Sequence, residues 1–169
     1  MDIIDISPTI SPKLAVWPGD TTVERKVLCD MQKGDNITLS TLNATVHLGA
    51  HVDAPNHYER SGEDIAARSL DFYVRPCVVV DVPTEKGTRV SWEAFQKATS
   101  IDELAGRVLI RTGSFPDPNQ FNEDFCGLEP QLVDELYERG VCLIGIDTPS
   151  VDLFSSKALE AHSRFADND

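Results

Sequence analysis

Three of the chain's four histidines and one aspartate fall within His47-Leu48-Gly49-Ala50-His51-Val52-Asp53-Ala54-Pro55-Asn56-His57, and the fourth histidine is His162. Neutral imidazole and carboxylate together suit zinc and its first-row neighbours, so this residue set predicts a transition-metal site. On a helix, His47 and His51 would share a face, but Gly49 between them and Pro55 beyond them argue against a helix. A strand suits the pattern better. Positions 47, 51, 53 and 57 are all odd, and alternate side chains of a strand point the same way. Pro55 ends regular pairing, so the expectation is a strand running out near Asp53, with His57 on the loop that follows. The shared parity makes His47, His51, Asp53 and His57 candidates to turn toward one such site.

The elements that must carry these residues change character along the chain. Short strands are expected at Ile3 to Ile6, Val23 to Cys29 and Ile37 to Val46, with a turn at Gly34-Asp35-Asn36. Cys77 to Val82, Val108 to Ile110 and Val141 to Ile146 read as buried strands. Between them, Ser91 caps a helix from Trp92 to about Ala98. A second helix begins at Pro130 and stops at Gly140, with Leu132, Val133, Leu136 and Tyr137 as its buried stripe. Ser156 to Phe165 reads as a last helix capped by Ser155 or Ser156. Apolar strands alternating with helices indicate an α/β fold, with parallel or mixed sheets under helical cover. The polar residues at the strand ends, Asp81, Arg111 and above all Asp147, sit where open α/β sheets gather ligands, although strand-end solvation explains Asp81 and Arg111 equally well.

A chain of 169 residues suits one domain, 1–169, with a core that does not depend on disulfides. Its formal charge of −13 argues against nucleic acid and anionic membranes as partners and leaves a small-molecule substrate. No apolar run approaches the length of a membrane span. The start, Met1-Asp2-Ile3-Ile4-Asp5, lacks a basic segment followed by an apolar one, so no secretory signal is expected. The four cysteines form no CxxC pair, and Cys77 and Cys142 sit in apolar runs where a thiol usually serves as a small buried hydrophobe. A reduced, cytoplasmic protein is the expectation.

The histidine stretch resembles the signature H-x-G-T-H-x-D-x-P-x-H of the metal-dependent cyclase/hydrolase family. Within that family the chain is similar to the bacterial kynurenine formamidase (arylformamidase) group. The residues that carry this are Asp5-Ile6-Ser7, Val16-Trp17-Pro18-Gly19-Asp20, Gly145-Ile146-Asp147-Thr148-Pro149-Ser150-Val151-Asp152 and Leu159-Glu160-Ala161-His162. The resemblance implies a swivelling β/β/α fold and a homodimer. It further implies that His47 and His51 bind one zinc, that Asp53 bridges two, and that His162 binds the second, with manganese as an alternative metal. His57 would then lie beyond the ligand set and move a proton, while Trp17 contacts the substrate's aryl ring. Packing of a proline-rich loop is the competing role for Trp17. The signature's threonine is Ala50 here, which removes a hydroxyl and no ligand. The family continues past the His162 region to a metal-ligating glutamate to which no residue of this chain is assigned, so a chain lacking its C-terminal end is expected.

The activity so implied is hydrolysis of N-formyl-L-kynurenine to L-kynurenine and formate, a step of tryptophan breakdown. Two alternatives stay open. One is another amidohydrolase of the family, acting on isatin or a cyclic amide; the other is a non-catalytic relative that binds metal without turnover.

Overall fold

The computed structural model describes residues 4–100 and 104–168. It divides into two compact units, Met1–Val52 with Asp117–Phe121, and Asp53–Pro116 with Asn122–Asp169.

The first unit carries an antiparallel hairpin of β1 (Glu24–Cys29) and β2 (Leu39–Asn43). Glu24 faces Asn43 and Val27 faces Ser40, and a bulge shifts the register between Val27 and Cys29. The connection closes on itself through side chains. Asp30 caps a 3-10 turn over Met31–Lys33 by accepting from the Gln32 amide, and Asp35 accepts from the Asp30 amide at 2.6 Å. Gly34 takes φ 99°, a left-handed geometry that glycine adopts without steric cost. Both strands are shorter than their β-branched runs predicted. Of the expected strand at Ile3 to Ile6, residue 3 lies outside the described residues and residues 4–6 form none.

The second unit is α/β. Strands β3 (Val78–Asp81), β5 (Arg107–Arg111) and β7 (Leu143–Ile146) form a parallel sheet in the order β3-β5-β7. A two-residue parallel ladder joins β4 (Arg89–Val90) to β6 (Gly127–Leu128), with Arg89 opposite Gly127. The helices are α1 (Trp92–Ala98), α2 (Pro130–Glu138) and α3 (Glu160–Asp167). Ser91 caps α1 as predicted, its Oγ accepting from the Ala94 amide at 3.1 Å. Pro130 opens α2 and Gly140, at φ 80°, follows its end. Phe95 of α1, Val108 and Ile110 of β5, Leu128 of β6 and Leu132 and Leu136 of α2 form the centre of the core. Each such burial contributes about 1.5–3 kcal/mol relative to exposure.

Three expectations are corrected here. Tyr137 is 51% exposed, because one residue beyond Leu136 it falls at the edge of the stripe set by Leu132, Val133 and Leu136. Cys77 and Cys142 are exposed and not buried, since β3 and β7 each begin one residue after them. Helix α3 begins at Glu160, four residues later than its composition suggested. Among the described residues no helix is long and apolar enough to cross a membrane.

Candidate metal centre

The histidine motif is not a strand. Between β2 and a 3-10 turn at Pro55–His57, residues 44–54 form bends and irregular backbone. What brings His47 and His51 together is a bend at Gly49, which takes φ 58° and leaves a side chain little room. A Cβ there would meet Leu14 Cδ2 at 3.2 Å and Pro8 Cγ at 3.4 Å. His47 Nδ1 lies 3.1 Å from His51 Nε2, and the rings meet edge to face at 5.0 Å. His51 Nδ1 is 2.8 Å from the Gly49 carbonyl. A carbonyl only accepts, so Nδ1 carries the hydrogen, and in the neutral ring Nε2 presents its lone pair, which is the arrangement metal-ligating histidines commonly show.

Asp53, His57 and His162 are brought together in the second unit, each offering a donor atom within 4.8 Å of the others. His57 closes the 3-10 turn, whose first position is the prolyl nitrogen of Pro55. The turn is held from one side by the Asn56 amide donating to the Glu63 carbonyl at 3.1 Å. Gly62 presses against it so closely that a Cβ would lie 2.5 Å from the Pro55 carbonyl carbon. Tyr58 packs its ring edge on to both His57, at 6.3 Å, and His162, at 6.1 Å. Neither Gly62 nor Tyr58 stands out in the sequence. The motif drew attention to its polar letters, and a glycine that a backbone approaches has no local signature.

His162 comes from the first turn of α3, and its side chain is 12% exposed. Neither Ser155 nor Ser156 caps this helix. Leu159 precedes it at φ 49°, a strained left-handed conformation for a leucine, and Ser156 Oγ instead accepts from the Leu159 amide and donates to Glu160. The capping carboxylate comes from Asp152, which is 0% exposed. Its Oδ1 accepts from the Ala161 amide at 3.1 Å and from Arg89 Nη1 at 2.7 Å. Its Oδ2 accepts from the His162 amide at 3.1 Å and lies 2.8 Å from His162 Nδ1. Burial pushes this carboxyl upward, but hydrogen bonds from His162, the Ala161 and His162 amides and Arg89 outweigh it and hold the group below the usual carboxylate range.

Trp17 lies in the first unit, 37% exposed, with its ring edge-on to Phe121 at 5.6 Å. Asp20, in the same loop, is held below the usual carboxylate range by the Thr45 hydroxyl and the Thr21 amide, and His47 adds a smaller favourable charge. Asp147 is occupied structurally. Its carboxylate accepts from the Thr112 amide and hydroxyl and from the Gly113 amide, fixing the loop after β5. Asp81 and Arg111 pair with each other at 2.7 Å on an exposed edge.

The donor chemistry fits a divalent first-row ion. Two imidazole nitrogens 3.1 Å apart match adjacent vertices of a tetrahedron whose bonds are about 2.0–2.2 Å. The second group supplies two more imidazoles and a carboxylate.

Comparison with known proteins agrees with the motif. A solved structure described as a potential metal-dependent hydrolase with cyclase activity is 18% identical, with a TM-score of 0.76 over 98% of this chain and 76% of that one. A predicted metal-dependent hydrolase from Bacillus stearothermophilus gives 20%, 0.77, 98% and 77%. An isatin hydrolase bound to the product analogue thioisatinate gives 16%, 0.78, 98% and 76%. These likenesses establish a shared fold. The family model "Cyclase", described as "Putative cyclase", matches residues 4–153, a span that takes in the whole histidine motif and Asp152 and crosses both compact units. The chain belongs to the Cyclase family.

Proposed function

We propose that this chain is a metal-dependent amidohydrolase, and that its substrate is an N-formyl arylamine, N-formyl-L-kynurenine, which it splits into L-kynurenine and formate. The observation that carries the reading is the concentration of imidazole and carboxylate donors. His47 and His51 form one pair, Asp53, His57 and His162 form a group, and only Val52 separates the two in the motif. The family match and the solved structures described as metal-dependent hydrolases support it. In this reading His47, His51, Asp53 and His162 hold zinc, two ions per subunit. A divalent ion so held supplies positive charge that polarises an amide carbonyl and makes water acidic enough to act as a nucleophile near neutral pH. His57 accepts the proton of the attacking water and delivers it to the departing nitrogen, because an arylamine leaves poorly as an anion. Trp17 offers its partly exposed indole to the substrate's ring in an offset or edge geometry.

A second reading, ring opening of isatin or another cyclic amide, is favoured by the likeness to the isatin hydrolase structure. It needs the same donors and the same proton transfer. The test is product absorbance with N-formylkynurenine and with isatin as separate substrates. The purified full chain is assayed as isolated, after chelation, and after zinc is restored. Formamide cleavage that chelation abolishes and zinc restores is expected. Turnover of isatin alone selects the second reading, and stoichiometric metal binding without turnover of either substrate selects a non-catalytic role.

A further inference from the structure

We propose that Asp152 is the positioning residue of the His162 side of the centre, fixing that imidazole in a single tautomer and orientation, and that Arg89 holds Asp152 in place to do so. The inference rests on the reading of His162 as a metal ligand and adds to it the residues on which that role depends.

The geometry leaves little freedom. Asp152 has two oxygens, and each has two partners: Arg89 Nη1 and the Ala161 amide on Oδ1, the His162 amide and His162 Nδ1 on Oδ2. Three of these four partners are donors that cannot act otherwise. An ionised carboxylate only accepts, so the fourth, His162 Nδ1, must carry its hydrogen as well. In the neutral ring Nε2 is then the nitrogen with the lone pair, the one Asp152 leaves available, and the ring offers a donor atom within 4.8 Å of donors on Asp53 and His57. The backbone and the side chain of His162 are thus anchored on one oxygen, which sets the ring's direction as well as its tautomer. A carboxylate behind a ligating imidazole also raises its basicity.

Arg89 completes the device from a different element. Its Nη1 donates both to Asp152 and to the Leu128 carbonyl at 2.7 Å, and its Nη2 donates to Glu160 at 2.7 Å. The β4–β6 ladder puts it there, because Arg89 stands opposite Gly127 and the Leu128 amide donates to the Val151 carbonyl at 2.7 Å. Gly127 lets the segment that carries Asp152 approach. A Cβ at that position would lie 2.8 Å from the Val151 carbonyl oxygen and 3.0 Å from the Asp152 carbonyl carbon.

The test compares the full chain with Asp152→Asn, Arg89→Lys and His162→Ala, by zinc titration against a competing chromophoric chelator and by nitrogen NMR of the His162 ring. In the unaltered, metal-free chain the expected signature is a protonated Nδ1 and an unprotonated Nε2. Asp152→Asn should lose this single-tautomer signature and bind one zinc about 10–100-fold more weakly, with Arg89→Lys in between. Unchanged zinc affinity and tautomer in a folded Asp152→Asn would overturn the proposal. If that variant does not fold, a neutral His162 ring carrying its hydrogen on Nε2 in place of Nδ1 in the unaltered, metal-free chain would overturn it equally. Full zinc stoichiometry in His162→Ala would instead refute the ligand reading, which separates that failure from this one.

Discussion

At the scale of single residues, the proposed function gives the imidazoles of the centre different work, and substitution should separate them. His57 shares its group with Asp53 and His162, yet a proton carrier and a ligand respond differently to removal. His57→Ala is expected to keep its zinc and to lose about 10²–10⁴-fold in turnover, as loss of a general acid–base does. Metal analysis alongside the rate measurement decides this, and zinc loss from the variant would place His57 among the ligands. Trp17 offers a contrast, because its ring has Phe121 as an edge-on partner and the residue is 37% exposed. An aromatic contact to substrate is worth about 0.5–1.5 kcal/mol, so Trp17→Ala should raise KM about 2–10-fold with kcat nearly unchanged. An unchanged KM accompanied by a lower melting temperature would show that the indole only packs its loop.

Between residue and fold, the centre depends on turns more than on strands. Gly62 has the backbone of the His57 turn 2.5 Å from where its Cβ would be, whereas Gly87, in a turn at φ 74°, would meet nothing within 4 Å. Gly62→Ala must therefore displace the turn. It is expected to lower kcat about 10-fold or more, since sub-ångström misplacement of a proton carrier is costly. Gly87→Ala should lower only the melting temperature. Equal kcat in the two variants would detach the turn from catalysis. The same contrast explains what the sequence could disclose. Ser91, Pro130 and Gly140 marked their helices correctly because caps and breakers act through neighbouring atoms. The cluster of His47, His51, Asp53 and His57 was legible because such donor types are few and crowded together here, whereas His162 stood out only through the resemblance and the scarcity of histidine. The strand assigned to residues 47–53 failed because parity of spacing fits a bend at a left-handed glycine as well as it fits a pleat. Asp152 carries no signal beyond its place in a motif, since nothing local reveals that a carboxylate will cap a helix beginning eight residues later.

For the whole molecule, 28 acidic against 15 basic side chains leave a charge of −13, and many of the ion pairs lie on the surface. Exposed pairs of this kind contribute about 0–1 kcal/mol each and weaken in salt, while repulsion among the excess carboxylates is screened at the same time. Repulsion should win here, so the thermal midpoint of the metal-free chain is expected to rise by a few degrees between low and roughly 0.5 M sodium chloride. A midpoint that falls would mean the surface pairs outweigh the net charge. The capping of α3 by Asp152 has a consequence of another kind, for the order in which the molecule opens. An isolated helix of eight residues is marginal in water, and its first amides would ordinarily trade their hydrogens with solvent as the end frays. Here the Ala161 and His162 amides are bonded to a carboxylate that is itself 0% exposed and tied to Arg89 of β4. Their exchange with deuterium should therefore require the opening of the β4–β6 region, and they should rank with the slow core amides of β5 while Asn168 exchanges quickly. The start of α3 is therefore expected to open in one cooperative unit with the β4–β6 strands, leaving only its far end to behave as a helix terminus.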